Sequence, residues 1–282
     1  MKKTIFISIM IFAALVLSVS CSNSGKTPKK DSYTVTFDLK GGKCKGLDTK
    51  QTVKAGDTVD EPVFVPTASD DTYYRFDYWA KADGTEYNFS ATVNSDITLY
   101  AKYKERYNVG DKGPDGGYIF YKNTNYEKDS SDSDKNWKYL EVATKDFDAV
   151  VSGSNTTLFK WGTFGVSAGT STSLGSGSGN TKSMAEKFDE NYLAKNVYGE
   201  DWNTQGWHVP SKDELVELYN FVVKEKKEKQ EKQLEFTSED YWTSSEDGND
   251  KAWCLKFDGG TTPTPQSVSR STECRVRLIR KF

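Results

Sequence analysis

Short runs of alternating residues, set between glycine turns, restrict residues 33–104 of this chain to β-sheet. In "YTVTFDL" (33–39), Tyr33, Val35, Phe37 and Leu39 share one side, and Thr34, Thr36 and Asp38 share the other. That period of two marks a half-buried strand. "GG" at 41–42, "AGD" at 55–57 and "ADG" at 82–84 are turn signals, and "ITLYAKY" closes the segment with Ile97, Leu99 and Ala101 on one face. The spacing predicts a small β domain of about four strands around Trp79 as its core anchor. Composition points the same way. Aromatic residues make up 13% of the chain while all hydrophobic residues reach only 35%, with 22 glycines, so the cores must be built on large rings.

The N-terminus has a different text. Lys2 and Lys3 precede an apolar run from Thr4 to Val19, short for a membrane span and of signal-peptide type. It ends at Ser20-Cys21, and "SNSGKTPKKDS" follows, too polar to pack and suited to a flexible tether. The segment resembles a bacterial lipoprotein signal, departing from it at Ser18, where the usual motif has Leu. The resemblance implies cleavage before Cys21 and lipidation of that cysteine. Acyl chains there would give a lasting anchor, since each buried CH₂ contributes about 0.8 kcal/mol. A net charge of −3 supplies no electrostatic footprint for nucleic acid.

From Tyr107 onward the strands are interrupted by longer loops and helices. "GYIFY" predicts a strand over 118–121, and "NWKYLEVA" (136–143) a second, with Trp137, Tyr139 and Glu141 alternating against Lys138, Leu140 and Val142. Asp129, Asp132 and Asp134 lie in a polar loop that lacks the Gly and final Glu of a calcium-binding hand. "SLGSGSGNTKS" (173–183) is glycine-rich but lacks Gly directly before Lys, so it reads as a lead-in to a helix starting near Thr181 and not as a phosphate loop. That helix would bury Met184, Phe188, Tyr192 and Leu193. Ser211 with Glu214 forms a capping box opening a further helix, which buries Leu215, Leu218, Tyr219 and Val222 and ends in a solvated charge run. His208, the sole histidine, sits at the entry to this helix between Trp207 and Val209. No nucleophile elbow accompanies it, so it is assigned to scaffold.

Two family resemblances cover most of the mature chain. "VTFDLKGG", "VKAGDTVDEP", "FDYWAKADGTEYNFS" and "VNSDITLYAKY" resemble the Listeria–Bacteroides repeat of internalin-type surface proteins, with Tyr78 and Ala80 departing from its pattern beside Trp79. The resemblance implies a β-grasp-like fold and a spacer or interaction role in the envelope. "VGDKGPDGGYIFY", "WGTFG", "GWHVPSKDELVELY", "YWTSSEDGNDKAWCLKFDGG" and "CRVRLIRKF" resemble, in order, the Lcl C-terminal domain family. That implies a C-type-lectin-like fold, and the family's acceptance of Arg, Phe or His at position 208 fits a structural histidine. The sugar motifs of calcium-dependent lectins are missing, so calcium-dependent binding is not implied.

The expected organisation is α+β: a signal peptide (1–20), a lipidated cysteine and tether (21–32), a β-grasp-like repeat domain (33–105) and a C-type-lectin-like domain (106–282). The expected function is non-enzymatic: a lipid-anchored envelope protein, at the outer membrane or cell surface, binding glycan or protein in adhesion. No cofactor, metal or nucleic acid is expected. The alternatives are a structural envelope component without a specific ligand, and an enzyme on the related formylglycine-generating fold. Trp242, Trp253, Arg275 and Arg277 are the candidate ligand surface, because aromatic faces suit sugar rings and arginine forks suit sulfate or carboxylate. Asp213 or Glu214 are candidate internal partners for the two arginines. Cys254 and Cys274 are a candidate disulfide, closing a loop of roughly twenty residues worth about 3 kcal/mol. Alternation in "AWCLKF" places Cys254 opposite Trp253, Leu255 and Phe257, so the bridge requires Cys254 to face the core as well.

Overall fold

The computed structural model describes residues 30–132, 135–199, 205–227 and 234–282. The segment expected to be a leader, Cys21 and most of the expected tether lie outside these residues, as do Asp134 and the start of the charged run beyond 227. The described chain is mostly β-sheet with few helices. It folds into two compact units, one of residues 30–38, 46–63 and 79–100, the other of residues 39–45, 64–78 and 101–282.

Strands β1 (Ser32–Asp38), β2 (Lys50–Lys54), β3 (Tyr74–Ala80) and β4 (Ile97–Glu105) form a sheet in the order β2-β1-β4-β3. β1 pairs antiparallel with β2, Tyr33 opposite Val53, and parallel with β4, Phe37 opposite Leu99. The alternation in the sequence sets which side is buried: Val35, Phe37 and Leu99 point into the core with Trp79. The Phe37 and Trp79 rings meet edge to face at 4.9 Å, a contact worth about 1 kcal/mol beyond burial.

The larger unit takes in residues 39–45, 64–78 and 101–105 from the segment read as the repeat domain. Aromatic packing accounts for this. Tyr73, Ile119 and Tyr139 form one buried cluster, with Tyr74, Tyr107, Tyr126 and Phe282 against it. The unit continues through β5 (Tyr118–Lys122), β6 (Tyr139–Val142), β7 (Ala149–Val151), β8 (Ser154–Thr156), α1 (Gly177–Lys187), α2 (Leu193–Gly199), β9 (Trp207–His208) and α3 (Lys212–Lys227). It ends with β10 (Asp240–Asp247), β11 (Lys251–Lys256), β12 (Gln266–Ser269) and β13 (Ile279–Lys281). The sheets are β5-β6-β13-β9, β10-β11-β12 and the hairpin β7-β8.

Two further cores fill the unit. Phe159, Trp161, Met184, Leu193, Trp242 and Cys254 belong to one. Leu140, Leu215, Leu218, Tyr219, Leu255 and Ile279 belong to the other. The capping box at α3 forms as read: Ser211 N–H donates to Glu214 Oε2 (2.7 Å), and Glu214 N–H donates to Ser211 Oγ (3.2 Å). The helix expected from Thr181 instead begins one turn earlier, and it is broken in two. Its first residue must be glycine because a Cβ on Gly177 would lie 2.3 Å from Glu214 Oε2 and 2.7 Å from the Val209 carbonyl. The break follows Phe188, whose backbone is extended, where Asp189 Oδ1 accepts the Asn191 N–H and closes a tight turn.

Candidate functional site

The four residues read as a ligand surface are largely internal. Trp242 is 0% exposed, in the core, and its indole N–H donates to the Phe159 carbonyl at 2.6 Å. Trp253 is half-buried, with the Lys212 ammonium 4.6 Å from its ring centroid. Arg277 is 2% exposed. Its Nε and Nη2 reach Asp146 Oδ1 (2.8 and 2.7 Å), Nη2 also donates to the Glu235 carbonyl, and Nη1 donates to the Ala143 and Thr144 carbonyls. Those bonds occupy its donors, so no fork is left for a sulfate. Arg275 pairs with Glu239 and Asp146 and donates to Thr157 Oγ1. The internal partners are thus Asp146 and Glu239, and not Asp213 or Glu214. Residues 243–245 of the adjoining "TSSEDGND" stretch are buried too. Burial therefore takes Trp242 and Arg277 out of the expected ligand surface, while Trp253 keeps exposed area; the two arginines belong to a charge cluster centred on Asp146, which Tyr241 Oη also joins at 3.1 Å. Nothing in "TKDFDA" distinguishes Asp146 from the surface acids around it.

The cysteines turn out differently from the alternation argument. Alternation along β11 holds, but both faces of the strand are covered. Ala252 and Cys254 enter the first core, and Leu255 and Phe257 the second. Cys274 lines the same core as Cys254. Both are free thiols, and the neighbouring Cys254 side chain together with burial pushes the Cys274 thiol well above its usual range. Cys44 is half-buried, its thiol directed at the Phe64 carbonyl.

The titratable groups of the larger unit serve the scaffold. His208 is 2% exposed and its Nδ1 lies 3.0 Å from the Gly206 carbonyl. Burial lowers its pKa to about 4, against the opposing pull of that carbonyl, so the ring is neutral at ordinary pH and sealed from any substrate. Burial likewise pushes the Glu214 carboxyl up to about 7, although the Ser211 and Gly175 N–H groups donate to it. Glu141, in the centre of β6, is raised to about 7 for the same reason. A motif the sequence reading missed is the clamp of Arg270 and Glu246. Arg270 is 0% exposed, pairs with Glu246 at 2.8 Å, and donates to the carbonyls of Thr163, Val166, Gly248 and Lys251. Glu246 accepts the N–H groups of Ala168, Gly169 and Thr170. The pair fixes the 163–170 loop, which displays Phe164 at 56% exposure.

Three of the clefts among the described residues could take a ligand. One of about 380 Å³ is lined by Asp115, Asp146, Asp148, Lys145 and Trp207. A second, of about 580 Å³, lies beside Arg277 and Phe236. In both, the buried charges are already paired: Asp115 with Arg280, and Asp146 with the two arginines. The third, of about 360 Å³, is built mainly on tyrosines 74, 103 and 126, with Ser69, Asp70 and Lys128 supplying polar atoms. Its rings are locked. Lys138 Nζ sits 4.0 Å from the Tyr74 centroid, donates to Tyr74 Oη (2.6 Å) and pairs with Glu105 (3.0 Å). Tyr103 Oη donates to the Leu39 carbonyl and Tyr126 Oη to Asp70 Oδ2. The sequence signal for this cleft is the density of tyrosines on either side of residue 105.

Among solved structures, the chain is similar to a fimbrial protein from Bacteroides ovatus, with 13% identity over 89% of this chain and 69% of that one, at a TM-score of 0.43. At that level the likeness transfers neither detailed fold nor function. No curated protein matches the chain. Residues 33–102 match the family model of the Listeria-Bacteroides repeat domain.

Proposed function

We propose that this chain is a non-enzymatic, lipid-anchored protein of the bacterial cell envelope. Its β-grasp-like repeat carries a C-type-lectin-like module that binds glycan in adhesion. One observation carries the reading: an apolar run closed by Ser20-Cys21 and a polar stretch lead directly into a segment that matches the Listeria-Bacteroides repeat. The parallel pairing of β1 with β4 at the centre of that sheet supports the β-grasp-like assignment. The order of the Lcl-like motifs supports the assignment of residues 106–282, as does the mixed architecture of sheets and three helices among the described residues. Engagement of His208, Glu214 and Arg277 in the scaffold favours binding over chemistry.

The anchor is tested by feeding labelled palmitate to cells producing the full chain and its Cys21→Ser variant. Label and membrane association lost in the variant support it; equal membrane association of both defeats it. Binding is tested on an array of neutral and sulfated glycans, where a blank array removes the lectin-like role.

A further inference from the structure

We infer that the tyrosine cleft of the larger unit, at Tyr74, Tyr103 and Tyr126, is a binding site for a neutral sugar, an inference that rests on the glycan-binding reading above. The cleft falls within the ordinary range for ligand sites, about 300–1,000 Å³, with room for a mono- or disaccharide. All three rings are half-buried, so each still presents surface. Their hydroxyls already bond to the protein: Tyr103 donates to the Leu39 carbonyl at 2.8 Å, Tyr126 donates to Asp70 at 2.7 Å, and Tyr74 accepts from the Lys138 ammonium at 2.6 Å. They leave mainly apolar ring surface in fixed orientation for a ligand, which lowers the ordering cost of binding.

Polar atoms stand beside those rings. Asp70 uses one carboxylate oxygen for Tyr126. Ser69 is exposed, and its carbonyl is fixed by the Lys128 ammonium at 2.7 Å. A sugar ring has this division of character, with C–H groups on its faces and hydroxyls around its edge. Charge decides between neutral and anionic ligands. Asp70 and Lys128 offset one another, and the Lys138 ammonium is 3% exposed and held by Glu105. Sulfate would have to lie next to the Asp70 carboxylate in a cleft that no arginine lines, whereas a hydroxyl can donate to that carboxylate.

The test uses the full chain in a zwitterionic detergent. Mannose-, galactose- and N-acetylglucosamine-terminated oligosaccharides are compared with sulfated ones, for the wild type and for Asp70→Asn and Tyr126→Ala. The expected result is binding of a neutral glycan that weakens at least tenfold in both variants at unchanged melting temperature. Should Tyr126→Ala fail to fold, the isosteric Asp70→Asn carries the test. Hydrogen exchange on the wild type then reads the site without any variant, through slowed exchange at 68–74 and 103 when the sugar is added. Neutral-glycan binding kept within twofold in the variants, with no such protection, overturns the cleft and leaves the glycan-binding reading standing. Binding of sulfated glycans alone also overturns the cleft. A blank array overturns both.

Discussion

Glu141 offers a direct test of whether burial or ion pairing governs this interior. Its carboxylate points at the loop of Gly113 and Gly117, where a Cβ on either glycine would lie 2.3 Å from a neighbouring atom. Oε1 accepts the Gly117 N–H at 2.7 Å. Oε2 has no hydrogen-bond partner and lies 3.6 Å from Arg280 Nε, whose guanidinium is taken by Asp115. Burial raises the carboxyl from 4.5 to about 7. The native state therefore keeps a proton between these values that the unfolded chain has released. Stability from this group is fully present below about 4.5 and declines as pH rises through about 7, by about 3 kcal/mol in all. Glu141→Gln copies the protonated form in shape and keeps the acceptor for Gly117. The variant should match wild type near pH 4.5 and exceed its stability near pH 8.5 by up to about 3 kcal/mol. Urea unfolding followed by tryptophan fluorescence at steps between those pH values measures the difference, in which the shared titration of Glu214 and His208 cancels. A constant offset at every pH would sink the argument. A loss at high pH would mean that Arg280 holds Glu141 as an ion pair.

Other outcomes follow from the same interior. His208 titrates near 4 when folded and near 6.5 when unfolded, so its neutral burial contributes stability that is lost as pH falls from about 6.5 toward 4. His208→Phe should show a shallower fall in melting temperature over that window, and parallel curves would refute it. Arg270→Ala strands the Glu246 carboxylate and four carbonyl acceptors, and should cost about 3–5 kcal/mol with faster amide exchange in 163–170. A loss under 1 kcal/mol would show the clamp to be dispensable. Cys254 and Cys274, free thiols adjacent in one core, should become a reduction-sensitive pair when the protein is exposed to an oxidant, worth about 3 kcal/mol by loop closure. Quantitative alkylation of both without reductant would exclude the bridge.

Local rules settled what depends on neighbours in the chain. Alternation fixed the strands and buried side of the repeat segment, with Trp79 as anchor. Ser211 and Glu214, three residues apart, fixed the start of α3 whatever surrounded them. The Gly-rich run read as a lead-in to a helix near Thr181 instead contains the first turn of α1, and the reason for glycine at 177 is a carboxylate 37 positions away in Glu214. Alternation says that two faces of a strand differ, but not what covers each one. Cys254 and Leu255 face opposite ways and are both buried, because helices and sheets close over both sides of β11. The same holds for Trp242, whose indole finds a carbonyl 83 residues away, and for Arg277, whose carboxylate partner is 131 residues away. Such pairings depend on where long loops return the chain, and spacing in the sequence carries no record of that. The tyrosine cleft has the same origin, since Tyr74, Tyr103 and Tyr126 meet only when three distant segments pack together.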